Sequence, residues 1–316
     1  MLVSGGDAPG MNACMEAIFN YATRLGWEVW IARKGYQGLL DENLVLATPD
    51  ICRNISHITG CVFKTSRSKE FATDEGKIKA GEIIKKHGFD ATIIIGGNGS
   101  LAGAERLKKL TKANVIGIPA TVDNDCYFTD NSIGFSSAVE NIVRYVDMVK
   151  PVMQTCDRSF LFEVMGKGCS ELAINAGIAS FANLVDRSEK RFSVEQIAKL
   201  FNEQKSLGNT TCMAIIEENR EGADNLLKDV QDLTGPEIRF ERGYYYQRGM
   251  APTARDRFLA IHYGVMAVDC IKDGKFGVAV GRLGGELKTW KLEDANKAKP
   301  KFKPADYALI DKIANW

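Results

Sequence analysis

Histidine is scarce in this chain: His57, His87 and His262 are the only three, and they lie far apart. That excludes a histidine-built zinc site and argues against a Ser-His-Asp triad. The cysteines, Cys14, Cys52, Cys61, Cys126, Cys156, Cys169, Cys212 and Cys270, form no CxxC pair and no metal-ligand spacing. Scattered thiols in a chain this long read as buried residues in a reducing compartment, so a cytoplasmic protein is expected. Net charge is nearly absent as well. Lys+Arg at 41 against Asp+Glu at 40 leaves +1, without the basic excess of a nucleic-acid or membrane-surface binder. Apolar runs such as Ile93-Ile94-Ile95 are too short for a membrane-spanning helix. Gly5-Gly6-Asp7 comes too early for a signal peptide's apolar core to precede it.

What is present is the composition of a globular protein, 45% hydrophobic and 26% charged over 316 residues. That length predicts one large or two mid-sized domains. Strand and helix patterns alternate. Met11, Met15, Ile18, Ala22 and Leu25 share one helical face, Gly26 stops the helix, and a strand is expected over 27–32. A helix over 77–87 precedes an apolar strand over 91–95. A helix from Ser100 precedes a strand over 115–118. The alternation resumes after Pro151 with a strand over 160–164, a helix over 170–182 and a capping box, Ser193-Val-Glu-Gln196. A strand over 211–216, a helix marked by Leu226, Leu227, Val230 and Leu233, and a long helix over 254–272 complete the pattern. Short apolar strands between amphipathic helices predict a parallel sheet covered on both faces, an α/β protein. No linker rich in Pro, Ser or Gly divides the chain.

Three glycine-rich turns follow expected strands: SGGDAPGMN at 4–12, GGNGS at 96–100 and MGKG at 165–168. Glycine lets the backbone approach a ligand, and the next helix aims free N–H groups at an anion. A single such turn is as readily tight geometry; three shift the balance to phosphate binding. Neither GxxxxGK[ST] nor GxGxxG occurs, which disfavours P-loop and dinucleotide readings. PATVDND at 119–125 places two carboxylates two residues apart after a strand. That pattern is either an Asx-rich turn or a general base beside a charge or metal partner. Arg67, Arg158, Lys167, Arg239 and Arg248 stand near these motifs, and arginine grips phosphate with a planar fork. The run from Arg239 to Arg248 with tyrosines at 244–246 has the look of a nucleic-acid patch, which the balanced charge opposes.

GGDAPGMN at 5–12, GGNGS at 96–100, PATVDND at 119–125, EVMGK at 163–167 and QRG at 247–249 together resemble the bacterial type of 6-phosphofructokinase, in order and spacing over essentially the whole chain. The resemblance implies two doubly wound, mainly parallel sheets covered by helices. It also implies a nucleotide domain of 1–134 plus 247–297 and a sugar-phosphate domain of 135–246 plus 298–316. It implies phosphoryl transfer from ATP, with Mg²⁺, to the 1-hydroxyl of fructose 6-phosphate, with Asp123 as base and Thr121 and Asp125 flanking the transferred group. Gly6, Arg67, Gly97, Asn98, Gly99, Ser100 and Gly103 fall on the nucleotide side. Met165, Gly166, Lys167, Tyr245, Arg248 and Glu217, or Glu218 beside it, fall on the sugar side. Arg158 and Arg239 match arginines lent by a neighbouring subunit, which implies a homotetramer. Small residues at Gly99 and Ala120, where pyrophosphate users tend to carry Asp and Lys, favour ATP.

The chain also departs from that family. Asn98 replaces an aspartate that helps hold Mg²⁺, losing a charge that hard cations favour. A lost charged hydrogen bond of about 1.5–3 kcal/mol corresponds to roughly ten- to a hundredfold in rate. Lys167 stands for an arginine and Tyr245 for a histidine. In the family's regulatory pocket the matching positions are Glu16, Asn20, Pro49, Lys150, Leu207 and Asn209, with most positive charge gone, so control by ADP or phosphoenolpyruvate there is not expected. The alternatives are a weak or inactive paralogue acting as a subunit or sugar-phosphate sensor, and a kinase for another sugar phosphate. Only Met1-Leu2-Val3 precede Ser4, so a short first strand is expected.

Overall fold

The computed structural model describes residues 1–218, 220–243, 245–298 and 304–313; Tyr244 lies outside them. Among these residues eleven strands follow in chain order: β1 (Leu2–Ser4), β2 (Trp30–Ala32), β3 (Leu44–Leu46), β4 (Thr92–Gly96), β5 (Val115–Pro119), β6 (Ser159–Val164), β7 (Leu184–Asp186), β8 (Met213–Glu217), β9 (Ile238–Arg242), β10 (Val278–Leu283) and β11 (Glu286–Lys291). They form a seven-stranded sheet, β11-β10-β5-β4-β1-β2-β3, and a four-stranded sheet, β7-β8-β6-β9. The chain divides into two compact units, Met1–Ser137 with Arg248–Pro300 and Ala138–Gln247 with Lys301–Trp316.

In the first unit the central strands are parallel because helices connect them across both faces, and β4 and β5 are buried along their whole length. The short β1 still pairs with both neighbours, Leu2 opposite Ile94 and opposite Ala32. A cavity of about 630 Å³ opens beside Met1 and Leu2, lined among others by Ile18, Trp27, Trp30 and Phe89. The helices Met11–Arg24 and Ala254–Lys272 pack together, joined by Tyr21 Oη donating to Asp269 Oδ1 at 2.7 Å. Gly264 permits their approach, since a Cβ there would lie 2.8 Å from the Cys14 carbonyl oxygen. Antiparallel strands finish both edges, β3 against β2 and β11 against β10, neither of which the apolar pattern had marked. The second sheet is parallel throughout.

Several boundaries differ from the sequence reading. The strand expected over 27–32 begins only at Trp30, and the one over 211–216 runs Met213–Glu217, which carries Glu217 to the strand's end. The helix expected from Ser100 begins at Asn98. Pro151 does not separate segments; it sits inside the helix Phe135–Cys156. Proline removes one backbone donor there, but Ala138, Ile142, Val146 and Met153 bury a continuous apolar face that holds the helix past it. The capping box at Ser193 and Gln196 forms with both hydrogen bonds.

Candidate active site

In the first unit the site is built from three turns that leave adjacent strands at one level. Ser4 pairs with Gly96 and Gly96 with Pro119, so the turns after β1, β4 and β5 start side by side at the carboxyl ends. The order reverses between β1 and β4, the kind of switch point where open α/β sheets bind ligands. Ser100 Oγ donates to the Ser4 carbonyl at 3.0 Å. Thr65 Oγ1 donates to the Gly5 carbonyl at 2.9 Å, which brings in the loop carrying the exposed Arg67. Arg248 Nη1 donates to the Asp7 carbonyl at 2.6 Å, and Gly6 makes room for it: a Cβ there would sit 2.9 Å from Nη1. Gly103 faces Phe71, which stacks on Tyr36 at 3.6 Å between centroids. Gly99 is exposed, with open space where a Cβ would be.

The acid loop after β5 is held from behind. Asn124, at φ 54°, accepts from Ser132 N at 2.8 Å through Oδ1 and donates through Nδ2 to the Asp130 carbonyl at 3.1 Å. Ser132 Oγ donates to the Thr121 carbonyl at 2.7 Å, and Asp123 N donates to Thr121 Oγ1 at 3.3 Å. Between these braces Asp123 is 9% exposed. Sequence reading missed Asn124 and Ser132, whose only signal was an Asx residue within an Asx-rich turn. Gly97 abuts Thr121, where a Cβ would come within 3.3 Å of the threonine Cβ. Asn98 Nδ2 donates to the Asp125 carbonyl at 2.6 Å. A carbonyl only accepts, so the amide's nitrogen end must face it. Asn98 therefore does not fit the part of a charged metal ligand. Among the described residues no cluster of three His, Cys, Asp or Glu could cage a cation.

In the second unit the turn after β6 differs from its sequence reading. Gly166, Lys167 and Gly168 all take positive φ, at 153°, 49° and 86°. Three N–H groups of this turn are taken up within the protein. Met165 N donates to Gln247 Oε1 at 3.0 Å, Gly166 N to Glu218 Oε1 at 3.2 Å and Gly168 N to Glu217 Oε1 at 3.1 Å. With three of its four N–H groups bonded within the protein, this turn differs from the open anion cradle expected of the third motif. Gln247 is fully buried, and its role in the QRG motif was not legible from spacing.

Glu217 and Glu218 are separated by environment. Glu217 is fully buried and also accepts from Ser188 Oγ at 2.8 Å, Ser188 N at 2.6 Å and Ser170 Oγ at 2.9 Å. Arg191, 3.8 Å away, bridges it to the buried Asp186, which also receives Arg220 Nη1 at 2.7 Å. Glu218 is half-buried at the turn. The geometry thus makes Glu217 a brace and leaves Glu218 as the carboxylate at hand. Arg158 precedes β6 and Arg239 is the second residue of β9, opposite Phe160, whereas Met165 and Gly166 follow the other end of β6. Six strand residues, about 20 Å, keep these arginines from Met165 within one sheet. Arg158 lies 3.6 Å from Glu237, and Arg239 Nη1 donates to the Pro236 carbonyl. Tyr245 is 88% exposed.

The family model described as Phosphofructokinase matches residues 1–271. An ATP-dependent 6-phosphofructokinase of Clostridioides difficile (strain 630) is 35% identical over 309 residues, covering 98% of this chain and 97% of that relative. One of Thermotoga petrophila is 37% identical over 287 residues, covering 91% and 90%. Among solved structures, phosphofructokinase from Saccharomyces cerevisiae aligns with a TM-score of 0.85 at 26% identity, over 99% of this chain and 46% of the yeast chain. A pyrophosphate-dependent phosphofructokinase from Marinobacter aquaeolei aligns with a TM-score of 0.86 at 21% identity, over 96% of this chain and 84% of that one, a likeness of fold alone. With its family model covering most of its length and its three motif turns on adjacent strand ends, this chain belongs to the phosphofructokinase family.

Proposed function

We propose that this protein is a glycolytic kinase that transfers the terminal phosphoryl group of ATP to the 1-hydroxyl of fructose 6-phosphate. The observation that carries the reading is Asp123, a mostly buried carboxylate in a braced loop at the carboxyl end of β5, beside two glycine turns. Asp123 takes the hydroxyl proton, Thr121 and Asp125 flank the transferred group, and Arg67 offsets its charge. Such a reaction is largely positioning and electrostatics, which suits a loop fixed from behind. Gly6, Gly97, Gly99, Ser100 and Gly103 bind the nucleotide, with open space beside the Gly99 backbone. Met165, Gly166, Lys167, Arg248 and Tyr245 take the sugar phosphate. Glu218 rather than Glu217 accepts from a sugar hydroxyl, since the oxygens of Glu217 are already bonded. Mg²⁺ comes with ATP and has no charged seat at residue 98.

Arg158 and Arg239, a strand length from Met165, serve a neighbouring subunit's site in a cytoplasmic homotetramer. ADP and phosphoenolpyruvate do not act through the altered pocket. There the Glu16 carboxylate already accepts from the N–H groups of Asn54, Ile55 and Ser56 at 2.9, 3.1 and 2.9 Å, and Lys150 pairs with Asp147. A coupled ADP-release assay with fructose 6-phosphate and ATP, blanked by Asp123→Ala, tests the reading. Turnover above the blank is expected. None with this or other sugar phosphates would make the protein a non-catalytic subunit or sensor.

A further inference from the structure

Beyond β4 and β5 the two chains continue side by side, and the links between them form a ladder. Ala120 N donates to the Gly96 carbonyl at 3.0 Å, Gly97 lies against Thr121, and Asn98 Nδ2 donates to the Asp125 carbonyl at 2.6 Å. The last rung is a side chain, and it falls two residues beyond Asp123. Asn98 is the first residue of the helix Asn98–Thr111, where the helix dipole favours a carboxylate over an amide. What an amide can do there, and a carboxylate cannot, is donate. A carboxylate at 98 would present oxygen to the Asp125 carbonyl oxygen, and the two could be linked only through a third group, a cation or a bridging water.

We propose that Asn98 is a positioning residue whose amide ties down the Asp123–Asp125 loop without a divalent cation, so that the loop is fixed before any metal–nucleotide arrives. The tie is a direct hydrogen bond within the protein. Its effect on catalysis rests on the kinase reading above; its effect on the loop does not.

The test compares the wild type, Asn98→Asp and Asn98→Ala, each in chelator and in Mg²⁺ without nucleotide, by amide hydrogen exchange of residues 121–127. Exchange of β4 residues 92–96 reports whether each variant is folded. In the wild type the loop should be protected equally in both buffers. Both variants should lose that protection about two- to tenfold in chelator, the loss of one hydrogen bond. Mg²⁺ should restore it in Asn98→Asp and not in Asn98→Ala. Kinetically, Asn98→Ala should lower kcat about ten- to a hundredfold with KM for the sugar unchanged, the mark of a misplaced base rather than lost binding. Mg²⁺-dependent protection in the wild type, or an Asn98→Asp loop protected in chelator, would overturn the tie. A fall in sugar affinity with kcat unchanged would overturn the positioning role. An enzyme without turnover overturns the kinase reading and leaves the exchange result to decide the tie.

Discussion

Replacing Glu217 by glutamine should weaken the second unit whichever way the amide turns. Oε1 accepts from Gly168 N and Ser188 Oγ; Oε2 accepts from Ser170 Oγ and Ser188 N. The hydroxyls can rotate and accept from an NH₂ group, but the backbone N–H groups cannot. With NH₂ in place of Oε1, Gly168 N–H is stranded; in place of Oε2, Ser188 N–H keeps only its longer bond to Ser170 Oγ at 3.2 Å, and the NH₂ faces the Arg191 guanidinium. Stranding a buried donor costs about 1–3 kcal/mol. The charge lost opposite Arg191, 3.8 Å away, adds to it, for an expected total of about 2–4 kcal/mol. Urea unfolding with amide exchange at Gly168 would measure this. Glu218→Gln makes the contrast, because its remaining oxygen can still accept from Gly166 N. Its stability should stay within about 0.5 kcal/mol. Its KM for fructose 6-phosphate should rise about ten- to a hundredfold, as expected when a charged acceptor of a sugar hydroxyl is lost. If Glu217→Gln is as stable as the wild type, or if Glu218→Gln is the variant that unfolds, the division of labour between the two carboxylates is wrong.

Asp123→Asn should lower kcat by about 10²–10⁴ with little change in nucleotide affinity by calorimetry; an unchanged kcat would remove Asp123 as the base. Gly99→Asp should leave the melting temperature unchanged, because a Cβ there meets nothing within 4 Å. The like charge should raise KM for ATP at least about tenfold, and an unchanged KM would place the phosphates elsewhere. Asp256, which accepts from Gly134 N, Ser137 N and Ser137 Oγ at the start of the helix Phe135–Cys156, has its pKa raised above 3.8 by burial. The folded state then holds the proton to higher pH than the unfolded state does. The stability of the wild type relative to Asp256→Asn should therefore fall as pH rises from 3.8 through the folded value; a constant difference in melting temperature would contradict this. If Arg239 serves a neighbour, Arg239→Ala and Asp123→Ala subunits refolded together should recover up to about a quarter of the wild-type rate, since donor and receiver must be of opposite type. Mixed oligomers with no activity would refute the sharing.

Local signals carried much of this architecture. Leu101, Ala104 and Leu107 repeat at helical spacing and are fully buried, and Ile93-Ile94-Ile95 lies within a strand buried on both faces. The edge strands were not legible. In β11 the sequence ELKTWK lacks a buried face, and its strand state comes from antiparallel pairing with β10. The acid loop was readable because Thr121, Asp123 and Asp125 are contiguous. The Met165 turn misled because glycine marks only that the backbone bends. Which acceptors take its N–H groups depends on Glu217, Glu218 and Gln247, tens of residues downstream. Likewise Asn98 reads as a lost charge until the carbonyl of Asp125, 27 residues on, is seen to need a donor.

The first unit is assembled from two stretches of chain, and that has a consequence for its synthesis. On its outer side β5, which carries the acid loop, pairs with β10, and β10 begins 159 residues after β5 ends (Pro119 to Val278). At about 5–20 residues per second, a ribosome needs roughly 8–30 s to deliver that partner. Through this interval the nascent chain exposes an unpaired, fully apolar strand edge, while β6 to β9 have all emerged and can close their own sheet. The nascent first unit is thus the part of this protein with most need of a chaperone, and slowing translation between residues 120 and 278 should lower the soluble yield more than slowing it after β11.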